Sequence, residues 1–310
     1  MNNKPHGIMF HHFHDETKHP KGQGSISGDQ FRKILNYLIE NFNLLNAIEW
    51  LEKSQNNTLS KNDICITFDD NLLCQFDIAL PILEEFKIQA FWFVYTSPIL
   101  GIKEKIEIYR FFRFDQFKSI NDFYDSFNKT IETSEFDKIV KKGLLNLNIN
   151  EFLSSFPYYT KEDKIFRFIR DEILGQEKYY KIMDAMIENN NFNVDETALH
   201  LWNDESKIKY LHETGHIIGL HSHTHPTSLK SLNYSGQLEE YTTNRNILNS
   251  ITGSNIFTMS HPCNSYNNDT LKILEEMNVT FGFRANMDDG FSSRLEYPRL
   301  DHTLLMNSMI

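Results

Sequence analysis

The chain has 310 residues, of which 40% are hydrophobic and 24% charged, and it carries a formal net charge of −11 at pH 7. That length buries a substantial core as one α/β domain or two smaller ones, while a dispersed acidic balance excludes nucleic-acid backbone binding as a main activity. The first six residues lack an apolar leader core, no segment offers about 18 uninterrupted apolar residues, and Cys65, Cys74 and Cys263 show no C-x-x-C spacing; a cytoplasmic protein with free thiols and no membrane span is expected.

Residues 7–10 predict a first strand that ends in His11-His12-Phe13-His14-Asp15. Ser27 and Gln30 have capping-box spacing, and Phe31, Ile34, Leu35, Leu38, Ile39 and Phe42 follow with helical period. The apolar run Ile64-Cys65-Ile66-Thr67-Phe68 reads as a buried strand running out into Asp69-Asp70. A helix through Ile78, Ile82, Leu83 and Phe86 follows, with Pro81 either bending it or marking a later start. Residues 90–95 form the next strand, stopped at Ser97-Pro98. The order β-α-β-α-β is that of a parallel sheet or barrel.

Between 101 and 194 the rhythm changes to amphipathic helices, expected near 114–127, 136–147, 161–174 and 178–187. This is a helical insertion, either packed beside the sheet or serving as a lid over the site. The alternation resumes with a helix through Ile208 and Leu211, closed by Gly215, and a strand at 217–220. A helix at 237–248, a strand at 256–259, a helix after Asp269, a strand at 279–283 and a last strand near 300–306 complete the reading. The whole is taken as a single domain, 1–310, with the insertion inside it.

Two stretches carry chemistry. Asp69 and Asp70 sit where a buried strand ends, the place where α/β folds gather ligands; in isolation the same pair also suits a turn or a helix N-cap. Far downstream, the strand at 217–220 ends in His221-Ser222-His223-Thr224-His225. An extended backbone would put all three imidazoles on one face, whereas a turn or helix would bring only His221 and His225 together. One Asp and two His make a common shell for a divalent metal with open positions. His11, His12 and His14 are read as either the rim of that site, contacting substrate, or a polar strand end or unrelated metal clip, and they stand outside the core site.

Thr67-Phe68-Asp69-Asp70 and His221-Ser222-His223-Thr224-His225 resemble the T-F-D-D and H-[ST]-x-x-H motifs of the polysaccharide deacetylase (NodB-homology) family. The resemblance spans roughly residues 6–100 and 200–302. It implies a distorted parallel β/α barrel, with Asp69 as general base and Asp70, His221 and His225 as ligands of a divalent metal, typically Zn²⁺ with Co²⁺ or Ni²⁺ as alternatives. The family's third motif usually reads Arg-x-Pro-Tyr-Gly or Tyr-Pro-Tyr-Gly, and here the stretch is Ser260-His261-Pro262-Cys263-Asn264. Ser260 stands in place of the Arg, so Arg299, or failing it Arg284, is expected to orient Asp69. The oxyanion-binding main-chain N–H falls at Cys263; a Cys263 nucleophile has no supporting motif. Leu300-Asp301-His302 resembles the late L-x-H motif and makes His302 the expected proton donor to the leaving amine, with His261 its rival.

The function so implied is a metal-dependent deacetylase that removes an N-acetyl or O-acetyl group from an acetylated sugar, oligosaccharide or surface-glycan precursor. The alternatives are a deformylase or other amide hydrolase on the same scaffold, and a non-catalytic relative that binds metal and sugar.

Overall fold

The computed structural model describes residues 4–153, 159–290 and 293–309. They form two compact units, Met1–Glu104 with His200–Ile310, and Lys105–Leu199. The first unit holds the eight strands found among the described residues: β1 (His6–Phe10), β2 (Asn43–Leu44), β3 (Asp63–Phe68), β4 (Phe91–Val94), β5 (Ile217–Leu220), β6 (Thr258–Ser260), β7 (Phe281–Phe283) and β8 (Arg299–Asp301). Their order is β7-β6-β5-β4-β3-β1-β8, every pairing is parallel, and β2 adds beside β3.

The two ends of this sheet meet. Tyr297 N–H donates to Gly282 O at 2.9 Å, Arg284 N–H donates to Tyr297 O at 3.0 Å, and Gly7 N–H donates to Pro298 O at 3.0 Å. The lead-in to β8 therefore stitches β7 to β1 and nearly closes a parallel barrel, as expected. Inside it, Phe93 lies against Gly219, where an added Cβ would stand 2.5 Å from the ring. Only glycine lets β4 and β5 approach with that ring between them.

Helix Gly28–Asn41 starts at the Ser27/Gln30 capping box and buries Phe31, Ile34, Leu35 and Leu38. Pro81 is the second residue of helix Leu80–Phe86, which continues directly from the π-helical turn Gln75–Ala79, so the residue without an N–H lies next to the point where the helical pitch changes. The short β2 and helix Ala47–Gln55, which buries Trp50, were not anticipated. The expected strand at 300–306 is corrected: β8 stops at Asp301, whose carboxylate caps helix His302–Ser308 by accepting from Thr303 N–H at 2.8 Å. An aspartate at the N-cap outweighs a short apolar run.

The helical unit begins at Lys105 and ends at Leu199, against the 101 and 194 read from the sequence. Helices Lys105–Asp115 and Ile120–Glu132 replace the single helix expected at 114–127, because Ser119 and Asp122 form a capping box that starts a new one. The unit has an aromatic core of its own, including Phe112, Phe123, Phe127 and Phe166. No described helix is long and apolar enough to cross a membrane.

One buried histidine in the barrel unit ties stability to pH. His216 Nδ1 accepts from Ala90 N–H at 3.0 Å and from Trp92 Nε1–H at 3.2 Å, so the ring must be neutral at that nitrogen. Burial lowers its pKa to about 4 from 6.5. The unfolded chain then binds a proton that the folded one refuses, and stability falls as pH drops from 6.5 towards 4, by about 1 kcal/mol per pH unit. His216→Asn, whose Oδ1 can replace Nδ1 as acceptor, is expected to flatten that limb in urea unfolding measured from pH 7 to 4.5.

Candidate active site

Several strands deliver side chains to one end of the barrel. Asp69 and Asp70 follow β3, His221 and His225 follow β5, β6 ends on Ser260, β1 runs into His11, and β8 begins with Arg299. Asp69 is 3% exposed, and Arg299 is completely buried against it. Arg299 Nη1–H donates to Asp69 Oδ1 and Nη2–H to Oδ2, each at 2.7 Å. Nη2–H also donates to Ser260 Oγ at 2.6 Å, and that hydroxyl donates to Asp69 Oδ2 at 3.3 Å.

Register places Arg299 opposite Gly7, and a Cβ at Gly7 would stand 3.0 Å from Arg299 Cγ. The missing side chain leaves the lane along which the guanidinium runs through the interior. Arg284 contributes only its main-chain oxygen, which accepts from Arg299 Nε–H at 2.9 Å. Of the two arginines named from the sequence, Arg299 reaches the carboxylate. Burial pushes the Asp69 carboxyl up, but the charges of Arg299, His221 and His11 together hold it below the usual range. Asp69 is therefore an ionised, bidentately oriented carboxylate. Arg299 and Ser260 use three of its roughly four acceptor sites, which leaves one to take a proton.

Asp70 presents Oδ1 at 3.3 Å from His221 Nε2 and 3.2 Å from His225 Nε2. His221 Nδ1 lies 2.9 Å from Ser260 O. A carbonyl only accepts, so Nδ1 carries a proton and Nε2 is the nitrogen presented to Asp70. Asp70 Oδ1 is buried and receives no hydrogen bond. A buried carboxylate oxygen without a hydrogen bond, set beside two imidazole nitrogens, fits a cation, and one ligand atom from each of Asp70, His221 and His225 lies within 4.8 Å of the others.

The electrostatics agree. Two carboxylates face one guanidinium, which leaves one negative charge uncompensated. At Asp70 burial pushes the carboxyl up, and His225, His221 and His11 outweigh it, so the pKa falls far below normal. At His221 burial lowers the pKa, while Asp69, Asp70 and the Ser260 carbonyl raise it further than burial can depress it. At His225 burial outweighs the pull of Asp70 and Asp69 and lowers the pKa, which favours a neutral ring with a lone pair to offer.

The His-bearing turn is fixed from helix Tyr234–Thr252. Glu240 Oε2 accepts from His223 N–H and Thr224 N–H, each at 2.8 Å, and Asn244 Oδ1 accepts from His221 N–H at 3.1 Å. Asn244 Nδ2–H donates to Val94 O at 2.9 Å, tying the turn to the end of β4. Positive φ angles at Ser222 (62°) and His225 (52°) make this a turn, so His221 and His225 converge. His223 points elsewhere, its Nδ1 3.0 Å from Thr96 Oγ1. Of the two geometries the sequence left open, the turn is the one realised.

His11 was held outside the expected site, and its Nε2 lies 3.9 Å from Asp69 Oδ2 and 4.0 Å from Asp70 Oδ2. Its neighbour His14 instead faces Ser25 Oγ, 2.8 Å from Nδ1. Gln75 supports the same end: Nε2–H donates to His11 O at 2.8 Å and to Asp69 O at 2.6 Å. His302 is 2% exposed, with Nδ1 3.3 Å from Met9 O and Nε2 3.0 Å from Gly24 O. The rival His261 is fully buried, with Nε2 3.0 Å from Leu295 O and its ring stacked on Tyr266 at 3.9 Å. Cys263 adopts a left-handed conformation (φ 49°), and its N–H meets no acceptor among the described residues. Cys263 is exposed at the surface of the site, and its pKa is raised by desolvation of the thiol beside the barrel end and by the negative charges of Asp70 and Asp69, which disfavours the thiolate that a nucleophile would need.

Comparison with known proteins gives a consistent picture. The family model described as polysaccharide deacetylase matches residues 177–282, a span that includes His221, His225, Ser260 and Cys263. No curated protein matches the chain by sequence. Among solved structures, the Streptococcus pyogenes deacetylase PplD in complex with acetate is 16% identical with a TM-score of 0.56, over 99% of this chain and 98% of that one. A de-N-acetylase from Aggregatibacter actinomycetemcomitans is 9% identical with a TM-score of 0.52, over 96% of this chain and 93% of that one. IcaB from Ammonifex degensii is 13% identical with a TM-score of 0.52, over 96% and 90%. At these identities the likeness is one of fold.

Proposed function

We propose that this chain, which has the fold of the polysaccharide deacetylases and matches that family's model over 177–282, is a metal-dependent hydrolase that removes N-acetyl or O-acetyl groups from a sugar. The observation that carries the reading is the pairing of a buried, Arg299-bound Asp69 with the adjoining Asp70–His221–His225 cluster. The deacetylases of similar fold, one bound to acetate and one a de-N-acetylase, support acetate as the acyl product.

Asp70, His221 and His225 would hold the cation, and Zn²⁺ is proposed ahead of Co²⁺ or Ni²⁺. A divalent cation in such a site lowers the pKa of a bound water and polarises the acetyl carbonyl. Asp69 takes a proton from the attacking water while Arg299 and Ser260 hold its carboxylate in place. The Cys263 N–H donates to the carbonyl oxygen as that oxygen gains charge. The amide C–N bond then breaks, and an imidazole protonates the departing nitrogen to release acetate and a free amino sugar.

His302 is proposed as that proton donor on its L-x-H position, a role that requires one ring nitrogen to leave the Met9 or Gly24 carbonyl that it faces. His11 is the competing choice, favoured by its place 3.9–4.0 Å from both carboxylates and by a ring that is 28% exposed. An activated ester such as 4-nitrophenyl acetate needs no proton on its leaving group. Loss of the true donor is therefore expected to cut amide turnover 10²–10⁴-fold, in the range of general-acid catalysis, and ester turnover far less. His302→Ala and His11→Ala compared on both substrates decide the assignment.

The substrate is proposed to be an acetylated glycan precursor or short oligosaccharide. Acetate released from N-acetylated oligosaccharides, abolished by a chelator and restored by Zn²⁺, is the expected result. Formate release from a formylated amino sugar would move the activity to deformylation. Metal and sugar binding with no product across substrates would leave a non-catalytic relative.

A further inference from the structure

Asp70 and Asn71 are consecutive residues in the left-handed region, at φ 76° and 55°. A Cβ disfavours that conformation, and Asp or Asn ordinarily adopts it singly. Two in succession need to be held from outside. The hold comes from 130 residues downstream, where the chain re-enters the barrel unit at His200.

Leu73 N–H donates to Leu201 O at 2.8 Å, and Trp202 forms an antiparallel bridge with Leu72. Asn203 N–H donates to Asn71 O at 3.0 Å, and Asn71 Nδ2–H donates to Asn203 O at 3.1 Å. Asn203 Nδ2–H reaches Asn71 Oδ1 at 3.2 Å and Leu72 O at 3.3 Å. Both asparagines are 2% exposed, so these bonds are protected from water. The same segment also reaches a second ligand: Trp202 Nε1–H donates to Tyr95 Oη, and the Tyr95 ring lies 5.1 Å from that of His225.

We propose that the segment 201–203 is a positioning strap for the cation site, with Asn203 its main clasp: it holds the Asp70–Asn71 turn left-handed and, through Trp202 and Tyr95, backs the ring of His225. Asn203 contacts none of the reacting atoms; it acts through Asp70. This inference rests on the metal-site reading above, and its consequence is that cation affinity depends on a residue outside the ligand set. Polar groups that orient ligands commonly change metal affinity 10–100-fold when removed.

The test uses the full chain, with Zn²⁺ titrated by calorimetry into the wild type, Asn203→Ala, Asn71→Ala and Asn71→Gly. Hydrogen exchange of the peptide covering 69–75 is measured in the metal-free proteins. Asn203→Ala is expected to weaken Zn²⁺ binding about tenfold or more and to raise exchange in that peptide. Glycine loses the Asn71 amide but adopts positive φ freely, so Asn71→Gly should bind Zn²⁺ about fivefold or more tightly than Asn71→Ala. That contrast reads backbone conformation, which loss of general packing would not move, and it serves even if Asn203→Ala fails to fold. Equal affinities for Asn71→Gly and Asn71→Ala, unchanged exchange, or raised exchange with unchanged affinity would each overturn the strap. A wild type that binds no Zn²⁺ would overturn the metal reading itself and this inference with it, a failure seen in the first titration.

Discussion

Asp69→Asn is expected to leave a folded protein that still takes up metal and to lower deacetylation 10²–10⁴-fold, the range spanned by loss of a general base. The change is nearly isosteric, so Arg299 and Ser260 retain one oxygen to bind and the group that accepts the water's proton is gone; it also leaves the buried Arg299 charge without its partner anion, at a cost of about 3–5 kcal/mol in stability. Acetate release, read beside metal content, separates this from a structural effect; activity within tenfold of wild type would remove Asp69 from the base role. Arg299→Met probes the same pair from the other side. It strands a carboxylate that is 3% exposed, and removal of one partner of a buried ion pair costs about 3–5 kcal/mol. With the guanidinium gone, burial is the largest influence on Asp69 and its pKa rises. Activity should then fall off at higher pH on the acid side than in wild type. Lysine is not an equivalent replacement, because it cannot make the two parallel bonds to Oδ1 and Oδ2.

Asp70→Ala and His225→Ala are expected to lose a near-stoichiometric divalent metal and, with it, about a thousandfold or more in activity. That loss corresponds to the several kcal/mol that a metal contributes by polarising a carbonyl. Elemental analysis of the purified variants beside the wild type is the check. Thr224→Val, next to His225 but with its hydroxyl turned to Glu240, should keep its metal. Retention of full metal by Asp70→Ala would move the site elsewhere.

Much of this arrangement is local and could be read directly from the chain. The Ile64–Phe68 run is β-branched and apolar, so it becomes β3 and delivers Asp69 and Asp70 to a strand end. Likewise the strand at 217–220 delivers His221. The capping boxes at Ser27 and the helical period after it are also local, and they appear where expected. The strand expected at 300–306 failed for a local reason too: Asp301 has the side chain of an N-cap, and its use as one ended β8 after three residues.

His11 is a different matter. A histidine after a first strand has no sequence partner to declare it, and its approach to both carboxylates depends on β1 pairing with β3 in register. Asn203 and Asn244 carry no signal at all, since a polar residue in a loop or helix looks the same whether it is exposed or clasping a turn. Arg299 was nominated because Ser260 occupies the arginine position of the third motif, yet Arg284 stood as an alternative until the packing was known. Their separation depends on the glycine at position 7 and on β8 lying beside β1.

The sequence by itself determined the ends of β3 and β5, the acidic pair, the imidazole pair available in a turn, and the helical character of the segment after 101, because each depends on neighbours within a few residues. Only the tertiary structure decided which guanidinium binds Asp69, which histidines face the carboxylates, and what holds Asp70 left-handed. Those contacts join residues more than fifty positions apart, and their geometry is set by strand register and barrel closure, which no local pattern encodes.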